Sequence, residues 1–167
     1  MKDIVNVHAS SVVVLDGVTI KNVAKIGNTY YTSLAAAIAA IGSGDVVIDL
    51  VADATLDYNA REAYGLAIET TSVTINGNGH TISGSAANGG KWSRAFYITA
   101  DNVVLNNIVF ANGYNSYGGA IDIEDCLTVI NNCDFINNSS IGMSAIAANI
   151  ANYTDAAKNC EIRNNRF

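Results

Sequence analysis

The stretch Asn107-Ile108-Val109-Phe110-Ala111-Asn112-Gly113 returns as Asn132-Cys133-Asp134-Phe135-Ile136-Asn137-Asn138 and again as Asn159-Cys160-Glu161-Ile162-Arg163-Asn164-Asn165. A weaker copy lies upstream, Gly79-His80-Thr81-Ile82-Ser83-Gly84-Ser85, so the copies step by 28, 25 and 27 residues. A second column drifts in the same way: Ile68, Ile98, Ile123 and Ile150, each two residues after Leu66, Phe96, Ile121 and Ala148. Self-similarity at a period of roughly 20–50 residues marks a solenoid or array, whose units cannot bury their apolar face alone.

Within each copy the apolar residues alternate over short runs: Leu66/Ile68, Val73/Ile75 and Ile82, then Phe96/Ile98, Val103/Leu105 and Ile108/Phe110. Period-two alternation is the signature of strands. Each copy therefore holds about three strands. Asparagine and glycine fall between the runs, at 76–79, 106–107 and 131–132, where tight turns need residues that tolerate positive φ. Three strands and three turns close one coil, and coils stacked about 4.8 Å apart run their strands in parallel. The middle strand leaves its register open, since either Val129 or Ile130 fits the place of Leu105. The expected fold is all-β, a parallel β-helix of four to five coils over residues 46–167.

The 167-residue chain is half apolar, with a net charge of -6, no proline and 21 asparagines. Nine basic against fifteen acidic residues, with no basic run, excludes the usual phosphate-neutralising nucleic-acid binder. The long uncharged stretches are crowded with Asn, Gly, Ser and Thr, so none is expected to insert in a bilayer. The opening run MKDIVNVHASSVVVLDG has one Lys followed at once by Asp3 and no small-residue cleavage pattern, so it does not read as a signal peptide.

Residues 1–45 read as an N-terminal cap. Thr32-Ser33 can cap a helix over Leu34–Ile41 that stops at Gly42, with Leu34, Ile38 and Ile41 on one face. Residues 11–31 supply one or two strands laid against it. At the other end the chain reaches Arg166-Phe167 with nothing to close the coil, which leaves strand edges and apolar columns open. Two readings fit: a chain cut short, or an end on which another copy docks head-to-tail and grows a filament.

The run INGNGHTISGS at 75–85, with Gly118-Gly119-Ala120-Ile121 followed by Phe135-Ile136-Asn137-Asn138, resembles the right-handed parallel β-helix of the pectin-lyase-like superfamily. More narrowly, GGAI and FxxN are similar to repeats of chlamydial polymorphic outer-membrane proteins and of adhesin-like surface proteins of methanogenic archaea and gut bacteria. Tyr30 to Leu34, and Ile48 on to Leu56, resemble the segment that leads into many extracellular β-helices. The resemblance implies an extracellular or cell-surface module, adhesin-like and non-catalytic, that binds glycans or host and cell-surface components or assembles with itself. The alternative it carries is a polysaccharide lyase or glycoside hydrolase.

In carbohydrate-active members the chemistry lies on the outward face of the strand that begins each coil. By the columns above, those residues are Ala67, Tyr97, Asp122 and Asn149, beside loops bearing Lys91, Trp92 and Arg94, then Tyr114 and Tyr117. Trp92, Arg94, Tyr97, Tyr114, Tyr117 and Asp122 form the candidate ligand face, since aromatics beside polar groups stack on sugar rings. Scattered surface tyrosines are the plainer reading of the same residues. Lyases and hydrolases of this fold need clustered carboxylates. The acids at hand are Asp101, Asp122, Glu124 and Asp125; Asp122 and Glu124 share a face at i, i+2 and could bind a metal or work as a pair, but the neighbouring coils offer Tyr97 and Asn149 in place of a second acid, so no catalytic residue is assigned. No His/Cys spacing suggests a metal, and no cofactor is expected. His80 reads as a turn-flanking or core residue. Cys133 and Cys160 fall in one inward column as buried free thiols. The columns Asn112/Asn137/Asn164 and Asn107/Asn132/Asn159 read as hydrogen-bonded asparagine ladders, and Asn137, Asn138 and Asn152 stand in glycosylation sequons.

Overall fold

The structure, a computed structural model, describes residues 12–15, 18–56, 65–70, 72–84, 93–124, 127–142, 145–149 and 160–167. Trp92, Lys91, Asp125, Cys126, Ile150, Asn152 and Asn159 lie outside these residues.

Before the coils come four short strands, not the one or two expected. Strands β1 (Val12–Leu15) and β2 (Val18–Lys21) form an antiparallel hairpin. Strands β3 (Ala24–Ile26) and β4 (Thr29–Tyr31) form a second, joined by the positive-φ Gly27. Helix α1 runs Leu34–Ala39, shorter than expected, and ends at an Ala40 C-cap ahead of Gly42. Its N-cap is Ser33, whose hydroxyl accepts the Ala36 N–H at 3.1 Å. Leu34 and Ala37 are buried, while Ile38 and Ile41 pack half-buried against the core.

From here the chain visits three parallel sheets in turn. The middle sheet stacks β5 (Val46–Leu50), β8 (Val73–Asn76), β11 (Val103–Asn106), β15 (Thr128–Asn131) and β19 (Glu161–Arg163). The third sheet stacks β6 (Ala54–Leu56), β9 (Thr81–Gly84), β12 (Val109–Ala111) and β16 (Asp134–Ile136). The first sheet stacks β7 (Leu66–Ile68), β10 (Phe96–Ile98), β14 (Ile121–Glu124) and β18 (Ile146–Asn149). A narrow fourth ladder pairs β13 (Tyr114–Asn115) with β17 (Ser139–Ser140). The fold is an all-β parallel solenoid. Strand β3 lies antiparallel on β5, so the β3–β4 hairpin covers the first edge of the middle sheet, and α1 touches β3, β4 and β7.

The inward columns are apolar. Leu66, Phe96 and Ile121 stack in the first sheet, and Ile48, Ile75, Leu105 and Ile130 in the middle one, which assigns the place of Leu105 to Ile130 and not to Val129. In the third sheet Phe110 meets Phe96 edge-on at 5.9 Å between ring centroids and stacks on Phe135 at 5.1 Å.

Corners are built by asparagine. Asn78, Asn107, Asn132 and Asn164 turn the chain from the middle to the third sheet with φ of 54°, 51°, 53° and 57°, while Asn112 and Asn137 turn it out of the third. The amide ladder runs elsewhere than expected. It runs along the end of the middle sheet: the amide of Asn76 donates to Asp49 at 3.0 Å, Asn106 to Asn76 and Asn131 to Asn106 at 3.5 Å each, and the corner Asn164, one residue past β19, to Asn131 at 3.1 Å. The residue after a corner serves the backbone instead. Asn138 donates to the Phe110 carbonyl and accepts the Gly113 N–H, both at 2.8 Å, and Asn165 does the same for Ile130 and Cys133 at 3.0 and 2.7 Å.

The last layer departs from the sequence columns. Ile146, not Ala148, stacks on Ile121, so Ala147 follows Asp122 on the outward face and Asn149 pairs with Glu124. Ile162 stacks on Ile130 in the middle sheet, not on Phe135, and the aromatic column is continued by Phe167, whose ring lies 5.0 Å from that of Phe135. Cys160 therefore stands beside Thr128 and not over Cys133. Both thiols are free, Cys133 buried and Cys160 half-buried, and burial pushes the pKa of each above its ordinary value.

Candidate functional site

The outward face of the first sheet carries Ala67, Tyr97, Asp122 and Ala147 in one column. Alternation along a strand predicts that such residues meet solvent, and Ala67 does. Asp122 does not, being 7% exposed, and Ala147 is buried as well. The covering begins with the segment that enters β10. Ser93 is locked to β13: its N–H donates to the Tyr114 carbonyl at 2.7 Å, and its hydroxyl accepts the Tyr114 N–H at 3.0 Å and donates to the Asn112 carbonyl at 3.1 Å. Gly84 makes room for it, because a Cβ there would come within 2.6 Å of the Ser93 hydroxyl. So anchored, Arg94 is 2% exposed and its Nη1 donates to Asp122 Oδ2 of the next layer.

The result is a buried ion pair between coils. Its guanidinium carbon sits 6.0 Å from the centroid of the Tyr97 ring, a cation–π distance. Arg94 Nε is buried with no hydrogen-bond partner, an unpaid desolvation that such pairs often carry. The sequence placed Arg94 and Asp122 at a ligand face. The structure brings them together, and Tyr97 with them, but seals both charges from solvent.

The other candidates separate from this cluster. Tyr114 is half-buried and tied through its backbone to Ser93. Tyr117 is 58% exposed on a loop whose neighbour in the next layer carries Ile141, 73% exposed. The two loops are joined by the Ile141 N–H to the Asn115 carbonyl at 3.3 Å and the Gly142 N–H to the Ser116 carbonyl at 3.0 Å. Gly118, at φ +54°, and Gly119 lie under this patch, and a Cβ on Gly119 would come within 2.8 Å of the Ser139 nitrogen. That close approach explains the paired glycines of the GGAI motif. Ser93 was legible as the middle of Trp92-Ser93-Arg94, the loop stretch read as the best single binding contact, whereas Ile141 was not singled out, since it reads as one more strand residue.

The remaining carboxylates are spent or scattered. Asp101 accepts the Leu127 N–H at 2.9 Å, and Glu124 is half-buried. Asp53 accepts the Thr81 N–H at 2.9 Å and faces His80 Nδ1 at 3.3 Å; the Thr81 hydrogen bond chiefly holds its carboxyl below the ordinary value. His80 is thus a half-exposed turn residue. Asp134 pairs with Arg166, which lowers its pKa in the same way. Among the described residues no three His, Cys, Asp or Glu side chains gather as metal ligands, and no helix is long and apolar enough to cross a membrane.

Two grooves lie at the ends of the solenoid. One of about 460 Å³ runs between α1 and β7, lined by Ile38, Ile41, Leu66 and Glu69 among others. The second, about 470 Å³, lies beside Phe135 and Phe167 and reaches Ser139 and Ser140.

Compared with protein-family models, curated proteins and solved structures, the chain finds no match.

Proposed function

We propose that this chain is a non-catalytic surface module, an adhesin-like β-solenoid that presents a lateral patch to glycans or other cell-surface components. The observation that carries this reading is the sealed Arg94–Asp122 pair: the acid at the centre of the face where a lyase or hydrolase would work is bound by a buried cation. A carboxylate so buried is closed to substrate, whereas a general acid or base must reach the group it serves. Among the described residues, Tyr117 and Ile141 are large exposed groups whose ring and aliphatic surface suit stacking on a sugar face. The resemblance of GGAI and FxxN to repeats of adhesin-like surface proteins, within the pectin-lyase-like superfamily, supports the same assignment.

The test is a glycan array read with the chain and with Tyr117→Ala, beside an assay of acidic and neutral polysaccharides for new reducing ends or unsaturated products. Retained glycans that the Y117A chain loses, without turnover, are the expected result. Turnover abolished by Asp122→Asn would overturn the reading in favour of an enzyme.

A further inference from the structure

Two glycosylation sequons overlap at the corner that leaves the third sheet, Asn137-Asn138-Ser139 and Asn138-Ser139-Ser140. A sequon marks a surface loop, and the placement of its asparagine decides whether a bulky saccharide fits there. These two asparagines are neighbours in sequence and opposite in surroundings.

Asn137 is the corner itself. It stands in the left-handed region at φ 54° and is exposed, as is Ser139, the hydroxyl residue that its sequon needs. Beside it Ile136 is 47% exposed, so the ground around the corner is open.

Asn138 is held by the fold. It is half-buried, its amide nitrogen donates to the Phe110 carbonyl, and its oxygen accepts the Gly113 N–H, both at 2.8 Å. The fit is close: a Cβ on Gly113 would come within 2.8 Å of Asn138 Oδ1, and the cleft that Asn138 lines with Phe110, Gly113 and Ala120 holds only about 130 Å³. Asn165 makes the same two bonds, to Ile130 and Cys133, so the clamp is part of how a corner is built. An oligosaccharide on Asn138 Nδ2 would have to open that packing, and opening it leaves the Phe110 carbonyl and the Gly113 N–H without their partner.

We infer that Asn137 is an N-glycan acceptor and that the fold denies the same role to Asn138. In the transfer, Nδ2 of Asn137 attacks the anomeric carbon of an oligosaccharide carried on a polyprenyl diphosphate. The bond from that carbon to the diphosphate oxygen breaks, the diphosphate leaves with the electron pair, and Nδ2 gives up one proton. A host transferase and its lipid-linked donor supply catalyst and sugar, and the chain supplies the acceptor amide. Transfer to an emerging chain meets both sequons open, and folding then sorts the products. A glycan at Asn137 lies outside the coil, whereas one at Asn138 keeps the layer from closing. The inference does not depend on what the lateral patch binds.

Two serines separate the sequons: Ser139→Ala destroys the first and keeps the second, and Ser140→Ala does the reverse. The 167-residue chain is secreted behind a cleavable leader from an N-glycosylating eukaryotic cell and deglycosylated enzymatically in heavy-oxygen water. Fragmentation mass spectrometry then locates the label left at each former glycan site, and circular dichroism checks that the secreted chains fold. The parent should carry label at Asn137 and none at Asn138, S140A should match it, and secreted S139A should lose the label from both. Label at Asn138 in the folded parent, none at Asn137, or a folded, secreted S139A chain labelled at Asn138 would each overturn the inference. Glycan binding at Tyr117 is read on unglycosylated chain from a bacterial host, so the two proposals fail separately.

Discussion

Between Phe96 and Ile136 the three columns advance together: 25 residues separate Phe96 from Ile121, Leu105 from Ile130, and Phe110 from Phe135. Past Ile136 they part. Ile121 to Ile146 is again 25, but Ile130 to Ile162 and Phe135 to Phe167 are each 32. The central layers are built from one step repeated, and the last layer from the same parts after a longer connection. Regular spacing is thus a property of coils whose loops have equal length, while the layer itself is selected by what stacks. An isoleucine suits the Ile130 column, and an aromatic ring suits the Phe135 column.

The largest expected difference comes from removing the same side chain in both regions. Phe110 is fully buried between Phe96 and Phe135, so Phe110→Ala should cost about 3–5 kcal/mol in denaturant unfolding. Phe167 caps the same column but is 76% exposed, and Phe167→Ala should cost no more than about 1 kcal/mol. Equal losses would mean that the last layer is as tightly built as the centre.

A second contrast sets the buried ion pair against the exposed ones. Asp122→Ala leaves the Arg94 charge buried without its partner and should cost about 3 kcal/mol, most of it regained when Arg94→Met is added. Glu161→Ala, on an exposed pair of the last strand, should leave monomer stability within about 0.5 kcal/mol. If Asp122→Ala proved as mild, the sealed face would be open after all.

The smallest effect is in acid. Arg166 holds the Asp134 carboxyl below its ordinary value of 3.8, and the Thr81 N–H does so for Asp53. A carboxylate whose pKa is depressed on folding stabilises the native state above the unfolded value, and that contribution is lost as the pH falls through the folded one. Stability should therefore be level near neutrality and decline below about pH 4. An NMR titration in which Arg166→Ala returns Asp134 to the ordinary value would tie that loss to the last layer. Asp134 titrating normally in the parent chain would contradict the pairing.

Much of the fold was legible because strand alternation and the Asn corners leave marks at fixed offsets. Leu66/Phe96/Ile121 and Ile82/Phe110/Phe135 were aligned from letters alone and pair in those registers. The last layer was not, since Asn159 to Asn165 imitates Asn132 to Asn138 in type while the chain there occupies a different sheet. The ladder was misplaced for a related reason: corner and strand-end asparagines are adjacent in sequence, and Asn164 serves as both, a positive-φ corner whose amide also donates to Asn131. At the candidate site, Arg94 and Asp122 were placed on one face but not paired, and their burial depends on how the chain anchored by Ser93 crosses the sheet. Alternation reports which way a side chain points and not what covers it.

The register of that last layer can be read from a methyl and aromatic NOE experiment on the 167-residue chain. Ile162 methyls in contact with Ile130, together with the Phe167 ring in contact with Phe135, are the predicted result. Contacts from Ile162 to the Phe135 ring, with Phe167 touching neither, would contradict it.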